Sequence, residues 1–244
     1  MEYFKSSLKN VLGAQQGGGQ PSGAETVERL VDRVQTSTLL DDRRDAVRAL
    51  KALSKKFKLE VGAQAMAALV EVLQTDRSDT ETVGYAVDTL VNVVSQETGD
   101  EEETTESAAD AGALADQFTE IFIKNCDNVS LVLDLLDEYD FHVRWPTVKL
   151  MTALLSNRVK DIQEQILTNP MGVSKLMDLL SDSREVIRND TLLLLQKLTK
   201  GHANIQKIVA FENAFDRLLQ IVSEEGNSDG GVIVEDCVLL LPNG

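Results

Sequence analysis

Two segments of this chain align with each other at a spacing of 44 residues. The first reads Leu133-Asp134-Leu135-Leu136 followed by Val143-Arg144, and the second reads Met177-Asp178-Leu179-Leu180 followed by Ile187-Arg188. Apolar residues at helical spacing that repeat with a fixed period of this kind are typical of stacked helical arrays. Such arrays work through extended surfaces, so the pattern favours a binding protein over an enzyme with one enclosed pocket.

Pairs of adjacent apolar residues recur at 39/40, 72/73, 135/136, 179/180 and 221/222. The intervals between them are 33, 63, 44 and 42 residues. Armadillo-like repeats span roughly 40–47 residues, and the widest interval comes near this length once its acidic segment is removed. Hydrophobic residues make up 43% of the chain and aromatic residues 5%, a balance that suits packed helices better than a β-sandwich. The sequence therefore predicts an all-α fold, an armadillo-like right-handed helical solenoid of about five repeats.

Residues 1–12 have the pattern of a short amphipathic helix, with apolar side chains on one side and lysines elsewhere. One interpretation is contact with a membrane surface. The candidate contact residues are Phe4, Leu8, Val11, Leu12, Lys5 and Lys9. The alternative is a helix that caps the first repeat. Residues 13–23 are rich in glycine and predict a flexible linker.

The predicted head spans residues 24–241. Within it, residues 97–116 contain Glu101-Glu102-Glu103 and no apolar periodicity, which predicts a disordered acidic loop without the geometry of a metal site. Trp145-Pro146 predicts the start of a helix, because proline is tolerated in a first turn. The last predicted helix lacks the polar face of a terminal repeat, so residues 242–244 are expected to be a truncated end.

Charge is distributed unevenly along the chain. Residues 1–60 hold 11 Lys and Arg against 8 Asp and Glu, a net of +3, while the rest hold 13 against 32, a net of −19. The overall net charge of −16 argues against nucleic-acid binding. Four cations nevertheless form one line on the second predicted helix. These candidates for partner contact are Arg44, Arg48, Lys51 and Lys55; the alternative is a solvated helix face.

No sequence pattern indicates a catalytic, metal or cofactor site. The two histidines, His142 and His202, fall at helix-flanking turns in different repeats. Without a paired acid and base, the sequence predicts that the protein is not an enzyme. Asn189 is a further candidate for partner contact, because an asparagine on a groove helix can bind an extended peptide backbone. The aligned residue one repeat earlier is Trp145, so the sequence lacks a ladder of such asparagines.

Three long stretches carry a resemblance to a known family. They are Ser37–Arg44 with Ala46–Lys51, Pro170–Ser174 with Asp182–Asp190, and Val209–Phe215 with Glu224–Gly231. Over most of residues 24–241 the chain resembles the globular head of the general vesicular transport factors, also called vesicle docking or transcytosis-associated proteins. The resemblance is weakest in residues 1–23 and in the acidic segment.

The resemblance implies a cytoplasmic tether, peripheral on Golgi and transport-vesicle membranes, that acts in endoplasmic reticulum to Golgi and intra-Golgi transport. It implies a Rab GTPase, SNAREs and Golgi tethering proteins as partners, and it allows a homodimer through the head. It supplies no catalytic residues. Members of the family also have a long coiled coil and an acidic tail, for which this sequence has no heptad region and no acidic end. An alternative function is an armadillo-type peptide-binding adaptor of the nuclear-transport kind.

Overall fold

A computed structural model describes residues 22–96, 105–224 and 232–240. Within these ranges every regular element is a helix and no strand occurs, so the all-α prediction is confirmed. The chain divides into two compact units, Met1–Phe122 and Ile123–Gly244. Four predicted segments lie wholly or partly outside the described residues: residues 13–21 of the linker, residues 97–104 of the acidic loop, the end at 242–244, and the candidate membrane contacts Phe4, Lys5, Leu8, Lys9, Val11 and Leu12.

The described part of the first unit is built from paired helices. They are α1 (Gly23–Thr36), α2 (Leu40–Ser54), α3 (Lys58–Thr75), α4 (Thr80–Val94) and α5 (Thr105–Ile123), which ends at the boundary. Helices α2 and α3 each pack against both α1 and α4. Leu30, Leu50, Leu69 and Leu90 are fully buried between them. Successive pairs therefore share one apolar interior, as expected of a repeat array.

The second unit continues the same pattern with shorter helices. They are α6 (Asp127–Leu135), α7 (Phe141–Asn157), α8 (Val159–Thr168), α9 (Gly172–Asp178), a 3-10 turn (Leu179–Ser181), α10 (Glu185–Thr199), α11 (Ala203–Phe211), α12 (Ala214–Glu224) and α13 (Val232–Leu240). Helix α10 packs against both α7 and α13. Leu133 and Met177, which the sequence alignment pairs, are both fully buried. The 44-residue period therefore reflects equivalent core positions in neighbouring repeats.

The predicted linker 13–23 is too long at its end, because Ser22 and Gly23 belong to the start of α1. Ser22 Oγ accepts a hydrogen bond from the Glu25 N–H at 3.2 Å, and Glu25 Oε2 accepts one from the Ser22 N–H at 3.1 Å. This reciprocal capping box satisfies N–H groups that have no partner within the helix.

The predicted disordered loop at 97–116 is wrong for residues 105–116, which form the first turns of α5. This stretch contains few large apolar residues, but alanine recurs in it at Ala111, Ala113 and Ala115. Alanine is the strongest helix former, so the segment is helical even though it lacks a stripe of large apolar residues. Ala115 is buried, which ties this turn of the helix into the first unit.

Helix α7 begins at Phe141, four residues before the predicted start at Trp145. The Asp140 carboxylate accepts a hydrogen bond from the His142 N–H at 2.8 Å and caps the helix. Pro146 therefore lies inside α7, where it cannot donate to the carbonyl of His142. The earlier start brings Phe141 and His142 onto the helix beside Trp145.

Candidate functional site

Three cations of the predicted line lie on α2 and the fourth, Lys55, follows its last residue. The neighbouring repeat supplies carboxylates to two of them. Arg44 Nε donates to Asp79 Oδ2 at 2.9 Å, and Arg44 Nη1 donates to Asp41 Oδ1, also at 2.9 Å. Lys51 Nζ donates to Asp88 Oδ2 at 2.6 Å. Asp79 precedes α4 and Asp88 lies on it, so the bonds to these two residues join α2 to α4, whereas Asp41 lies on α2 itself. Much of the positive charge that the sequence offered to a partner is thus neutralised within the unit.

The other two cations of the line are more accessible. Arg48 Nη2 donates to Asp45 Oδ1 at 2.7 Å within α2, and both side chains are about half exposed. Lys55 is exposed, and among the described side chains no carboxylate lies within 4.0 Å of its ammonium. Lys55, at the C-terminal end of the line, can therefore bind a partner without first breaking an ion pair.

A cluster of aromatic rings and arginines lies where α7 and α10 begin. We call it the aromatic–arginine cluster, and it consists of Tyr139, Phe141, Arg144, Trp145 and Arg184. The guanidinium carbons of Arg144 and Arg184 each lie 4.8 Å from the ring centroid of Tyr139. Tyr139 is nevertheless 65% exposed. Aromatic residues and arginine are enriched at the centres of protein–protein interfaces, and rings held by arginines lose little entropy on binding.

A buried carboxylate holds the two arginines of the cluster in place. Asp182 Oδ2 accepts hydrogen bonds from Arg144 Nη1 at 2.9 Å and from Arg184 Nη2 at 2.8 Å, while Arg184 Nε donates to Oδ1 at 2.7 Å. Burial raises the pKa of the Asp182 carboxyl, but the hydrogen bonds from Arg184 and Arg144 outweigh this effect and hold that pKa well below its usual range. The carboxylate therefore stays ionised at neutral pH and keeps both guanidiniums beside Tyr139.

Trp145 extends the cluster along α7. Its ring stacks on Phe141 with a centroid distance of 5.2 Å, and Lys149 Nζ lies 3.9 Å from the Trp145 ring centroid. Trp145 Nε1 donates to Asp190 Oδ2 on α10 at 2.6 Å. The indole is thus fixed in orientation by a neighbouring repeat, which is the arrangement of a preorganised contact surface.

Asn189 lies on α10 next to Asp190, and its Oδ1 is buried without a hydrogen-bond partner. Two other amide side chains already bond to a neighbouring repeat. Asn92 Nδ2 donates to Ser54 Oγ at 2.8 Å, and Gln196 Nε2 donates to Asp236 Oδ1 at 2.9 Å. These two amides are therefore used inside the protein and are not free to bind a peptide backbone. The peptide-binding adaptor is not favoured.

The described residues contain no cluster of three or more side chains able to hold a metal ion. His142 is 83% exposed at the start of α7, and His202 caps α11, where its ring accepts from the Ile205 N–H. The two histidines therefore lie at separate helix ends, as predicted from their positions in sequence. None of the helices described is both long and apolar enough to cross a bilayer.

Most of the aromatic–arginine cluster was not predicted from the sequence. The repeat alignment pairs Arg144 with Arg188 and Trp145 with Asn189, but it assigns no role to Tyr139 or Arg184. The repeat alignment did contain a signal for the cluster, namely the recurrence of arginine at positions 144 and 188 beside apolar residues. An arginine in such a position needs a hydrogen-bond acceptor. That acceptor, Asp182, lies 38 residues beyond Arg144, and only the fold brings them together.

Comparison with known proteins supports this reading of the fold. The chain is 63% identical over 237 residues to the general vesicular transport factor p115 of Homo sapiens, and the alignment covers 97% of this chain and 24% of that protein. Over this segment, the chain is similar to the general vesicular transport factors. It therefore spans about a quarter of the length of this relative. No protein-family model matches the chain.

Solved structures agree with the sequence relationship. The crystal structure of Uso1-2 superposes with a TM-score of 0.80 at 30% identity, covering 93% of this chain and 36% of that one. A computationally designed armadillo repeat protein superposes with a TM-score of 0.64 at 17% identity, covering 88% of this chain and 81% of the design. The second match concerns the fold alone, and together the two confirm the predicted armadillo-like architecture.

Proposed function

We propose that this chain is the head part of a vesicle tethering factor and acts as a binding scaffold in transport between the endoplasmic reticulum and the Golgi, and within the Golgi. The observation that carries the proposal is the 63% identity to p115 across 97% of the chain. The proposed location is the cytoplasm, peripheral on Golgi and transport-vesicle membranes. Proposed partners, by resemblance, are a Rab GTPase, SNAREs and Golgi tethering proteins, with homodimerisation through the head as a further proposal.

The surface that best suits a protein partner is the aromatic–arginine cluster. Its exposed Tyr139 is held by two arginines, and Trp145 is fixed by a bond to Asp190. A partner would therefore meet side chains whose positions are already set, so binding would cost little conformational entropy. The cation line on α2 is a weaker proposal, because Arg44 and Lys51 would have to exchange their carboxylates for those of a partner.

The cluster is tested by replacing Tyr139 with alanine and measuring capture of Rab, SNARE and golgin proteins by the immobilised 244-residue chain. Leu39→Ala is the matched control, because Leu39 is also 65% exposed and lies on the first unit. We expect Tyr139→Ala to weaken capture of at least one partner by about tenfold, as for an interface hot spot. Equal capture by both variants and the unmodified chain would remove the cluster from the proposal.

The cation line is tested by the charge reversal of Arg44, Arg48, Lys51 and Lys55 to glutamate, compared with Lys55→Glu alone. If the line binds an acidic partner, Lys55→Glu weakens capture without changing the thermal unfolding midpoint. The fourfold variant also loses the bonds to Asp79 and Asp88, so its effect is interpreted only after its circular dichroism spectrum is compared with that of the unmodified chain. Capture that is insensitive to Lys55→Glu contradicts a binding role for the accessible end of the line.

The membrane part of the proposal rests on residues 1–12. We propose that Phe4, Leu8, Val11 and Leu12 enter the acyl boundary while Lys5 and Lys9 contact anionic headgroups. Co-sedimentation with anionic liposomes is expected to fall when residues 1–12 are deleted. Phe4→Ser with Leu8→Ser tests the apolar contribution, and Lys5→Gln with Lys9→Gln tests the charge. Unchanged co-sedimentation after the deletion favours the alternative, a helix that caps the first repeat.

A further inference from the structure

The loop between α6 and α7 presents a tyrosine to solvent. Residues 138–140 lie outside both helices, and the backbone of Asp140 is extended, with φ −62° and ψ 127°. Tyr139 lies in this loop and is 65% exposed. Exposed, non-helical segments are the parts of a protein that an enzyme can most easily reach, so the Tyr139 hydroxyl is accessible to a modifying enzyme.

Acidic residues surround Tyr139 in the sequence. Asp134, Asp137 and Glu138 precede it, and Asp140 follows it directly. Protein kinases select substrates partly by the pattern of charge around the hydroxyl that they modify, and acid-directed tyrosine kinases prefer carboxylates before the tyrosine. The sequence around Tyr139 therefore has the charge pattern of a substrate for an acid-directed tyrosine kinase.

Some of these carboxylates are already bound within the protein. Lys175 Nζ donates to Asp134 Oδ1 and to Asp137 Oδ2, both at 2.8 Å. Asp140 Oδ1 accepts a hydrogen bond from the His142 N–H at 2.8 Å. The lysine offsets part of the negative charge of Asp134 and Asp137, and this lessens their repulsion of a phosphate attached to Tyr139.

The side chains that contact Tyr139 suit a phosphate. The guanidinium carbons of Arg144 and Arg184 each lie 4.8 Å from the ring centroid of Tyr139. Ser183 Oγ lies 3.3 Å from Tyr139 Oη. Guanidinium groups bind phosphate oxygens through charge-assisted hydrogen bonds, and a serine hydroxyl can donate a further bond. A phosphate on Oη would therefore be attached beside three donor side chains.

Both arginines keep N–H groups beyond the bonds that the structure describes. Arg184 donates through Nε, Nη1 and Nη2, and Arg144 also donates through its three nitrogens. A guanidinium carries five N–H groups, so these bonds leave two on each arginine. Arg184 Nη1 donates to the Tyr139 carbonyl at 2.8 Å, which holds this guanidinium against the loop. Binding of a phosphate would therefore require little ordering of the arginines.

The other two tyrosines of the chain provide a comparison. Tyr85 is half-buried, and its hydroxyl donates to Glu81 Oε1 at 2.7 Å. A phosphate on that hydroxyl would be repelled by the Glu81 carboxylate. Tyr3 lies outside the described residues. Of the two described tyrosines, Tyr139 is therefore the better substrate.

We infer that Tyr139 is a phosphorylation site and that Arg144, Arg184 and Ser183 bind the phosphate once it is attached. Tyr139 Oη forms a bond to the γ-phosphorus of ATP, and the bond from that phosphorus to the β–γ bridging oxygen breaks. ADP leaves, and the phenolic proton passes to the base of the kinase. The product adds a charge of about −1.5 to −2 to the aromatic–arginine cluster.

Phosphorylation would thus change the charge of the surface that we propose for a protein partner. This consequence rests on the proposed function, whereas the modification and the binding of the phosphate do not. Both are tested on the purified chain without any partner protein. Their failure is therefore distinguishable from failure of the tethering proposal.

The first test is treatment of the 244-residue chain with ATP, Mg²⁺ and a purified tyrosine kinase domain that prefers acidic residues before tyrosine. The variant Tyr3→Phe with Tyr85→Phe keeps Tyr139 as the single tyrosine, because the chain has three. Intact mass spectrometry is expected to show one added phosphoryl group on this variant, and none after the further change Tyr139→Phe. Absence of the group from the first variant overturns the inference.

Two controls keep this result decisive. If the variant loses its helical circular dichroism signal, the phosphorylated residue is mapped on the unmodified chain by tandem mass spectrometry, and its location elsewhere overturns the inference. A synthetic peptide of residues 131–143 is treated in parallel. A kinase that modifies the peptide but not the folded chain shows that the fold hides Tyr139. A kinase that modifies neither shows that the charge pattern is not recognised, and both results overturn the inference.

The second test measures how the phosphate is bound. The second pKa of a protein-bound phosphate is about 6, and neighbouring guanidiniums favour the dianion. Phosphorus NMR is expected to place this pKa about 1 lower in the phosphorylated chain than in the phosphorylated peptide. Arg184→Gln is expected to reverse about half of the difference, because one of two guanidiniums is removed. Equal pKa values in chain and peptide overturn the binding of the phosphate by the arginines.

Arg29→Gln is the matched control for the second test, because Arg29 is an exposed arginine of α1 in the first unit. It is expected to leave the pKa of the phosphate unchanged. Equal effects of Arg29→Gln and Arg184→Gln indicate general charge attraction and overturn the specific site. If Arg184→Gln unfolds, Arg144→Gln on α7 provides the same comparison.

Discussion

Arg144 of α7 donates a 2.9 Å hydrogen bond to the carboxylate of Asp182, which lies in the loop before α10 and has a fully buried side chain. The bond joins two successive repeats of the second unit. Arg184 binds the same carboxylate, and both arginines lie against Tyr139. One buried acid therefore connects repeat stacking with the position of the exposed aromatic ring that we propose as a contact surface.

Replacement of Asp182 by asparagine is expected to lower the free energy of unfolding by about 3 kcal/mol, because two guanidiniums lose their buried counter-ion. The measurement is urea denaturation followed by circular dichroism at neutral pH. Asp41→Asn is the control, since Asp41 also pairs with an arginine at 2.9 Å but is 87% exposed. That variant should lose less than about 1 kcal/mol. Similar losses in the two variants would show that burial of Asp182 has no special effect.

The contribution of Asp182 to stability should depend on pH. Its folded-state pKa lies below the unfolded value of about 3.9, so its stabilisation is complete above about pH 4 and is lost as the pH falls toward the folded-state pKa. The difference in free energy of unfolding between the unmodified chain and Asp182→Asn should therefore be constant from about pH 7 to about pH 5 and shrink below about pH 4. A difference that grows on acidification would contradict the assigned direction.

Gly62 and Gly112 offer a matched pair of glycine substitutions in the first unit. A Cβ at Gly62 would lie 2.3 Å from the ring of the buried Phe118, whereas a Cβ at Gly112 would meet nothing within 4 Å. Gly62→Ala is expected to cost about 1–3 kcal/mol, because the Phe118 ring must move in a packed interior. Gly112→Ala should gain up to about 1 kcal/mol through helix propensity. Urea denaturation of both variants checks the predicted opposite signs.

The repeat architecture was predictable because residues of the same type are buried at equivalent positions of successive repeats. Leu133 and Met177 align in sequence and are both fully buried, so the period reports a physical requirement of the core. Helix boundaries were less predictable. The Asp140 cap starts α7 before Trp145, and alanines rather than large apolar residues make the first turns of α5 helical. Both features depend on local hydrogen bonding and propensity, which a search for apolar stripes does not detect.

The candidate surfaces were predictable only in part. The cations of α2 were identified by their spacing, but the acids that neutralise Arg44 and Lys51 lie 35 and 37 residues further along the chain. The same applies to Arg144 and Asp182. Sequence periodicity places a side chain on a helix face, whereas its partner is decided by which helix packs on that face. For this reason the sequence proposed free charges where the structure has ion pairs.

The most direct test of the tethering function is complementation by a chimera. In human cells depleted of p115, a p115 in which this chain replaces the aligned quarter is expressed, and transport of a secreted cargo from the endoplasmic reticulum to the Golgi is timed. The account predicts that the chimera restores transport and that the chimera with Tyr139→Ala restores it less well. A chimera that folds and accumulates normally but leaves transport blocked would contradict the account.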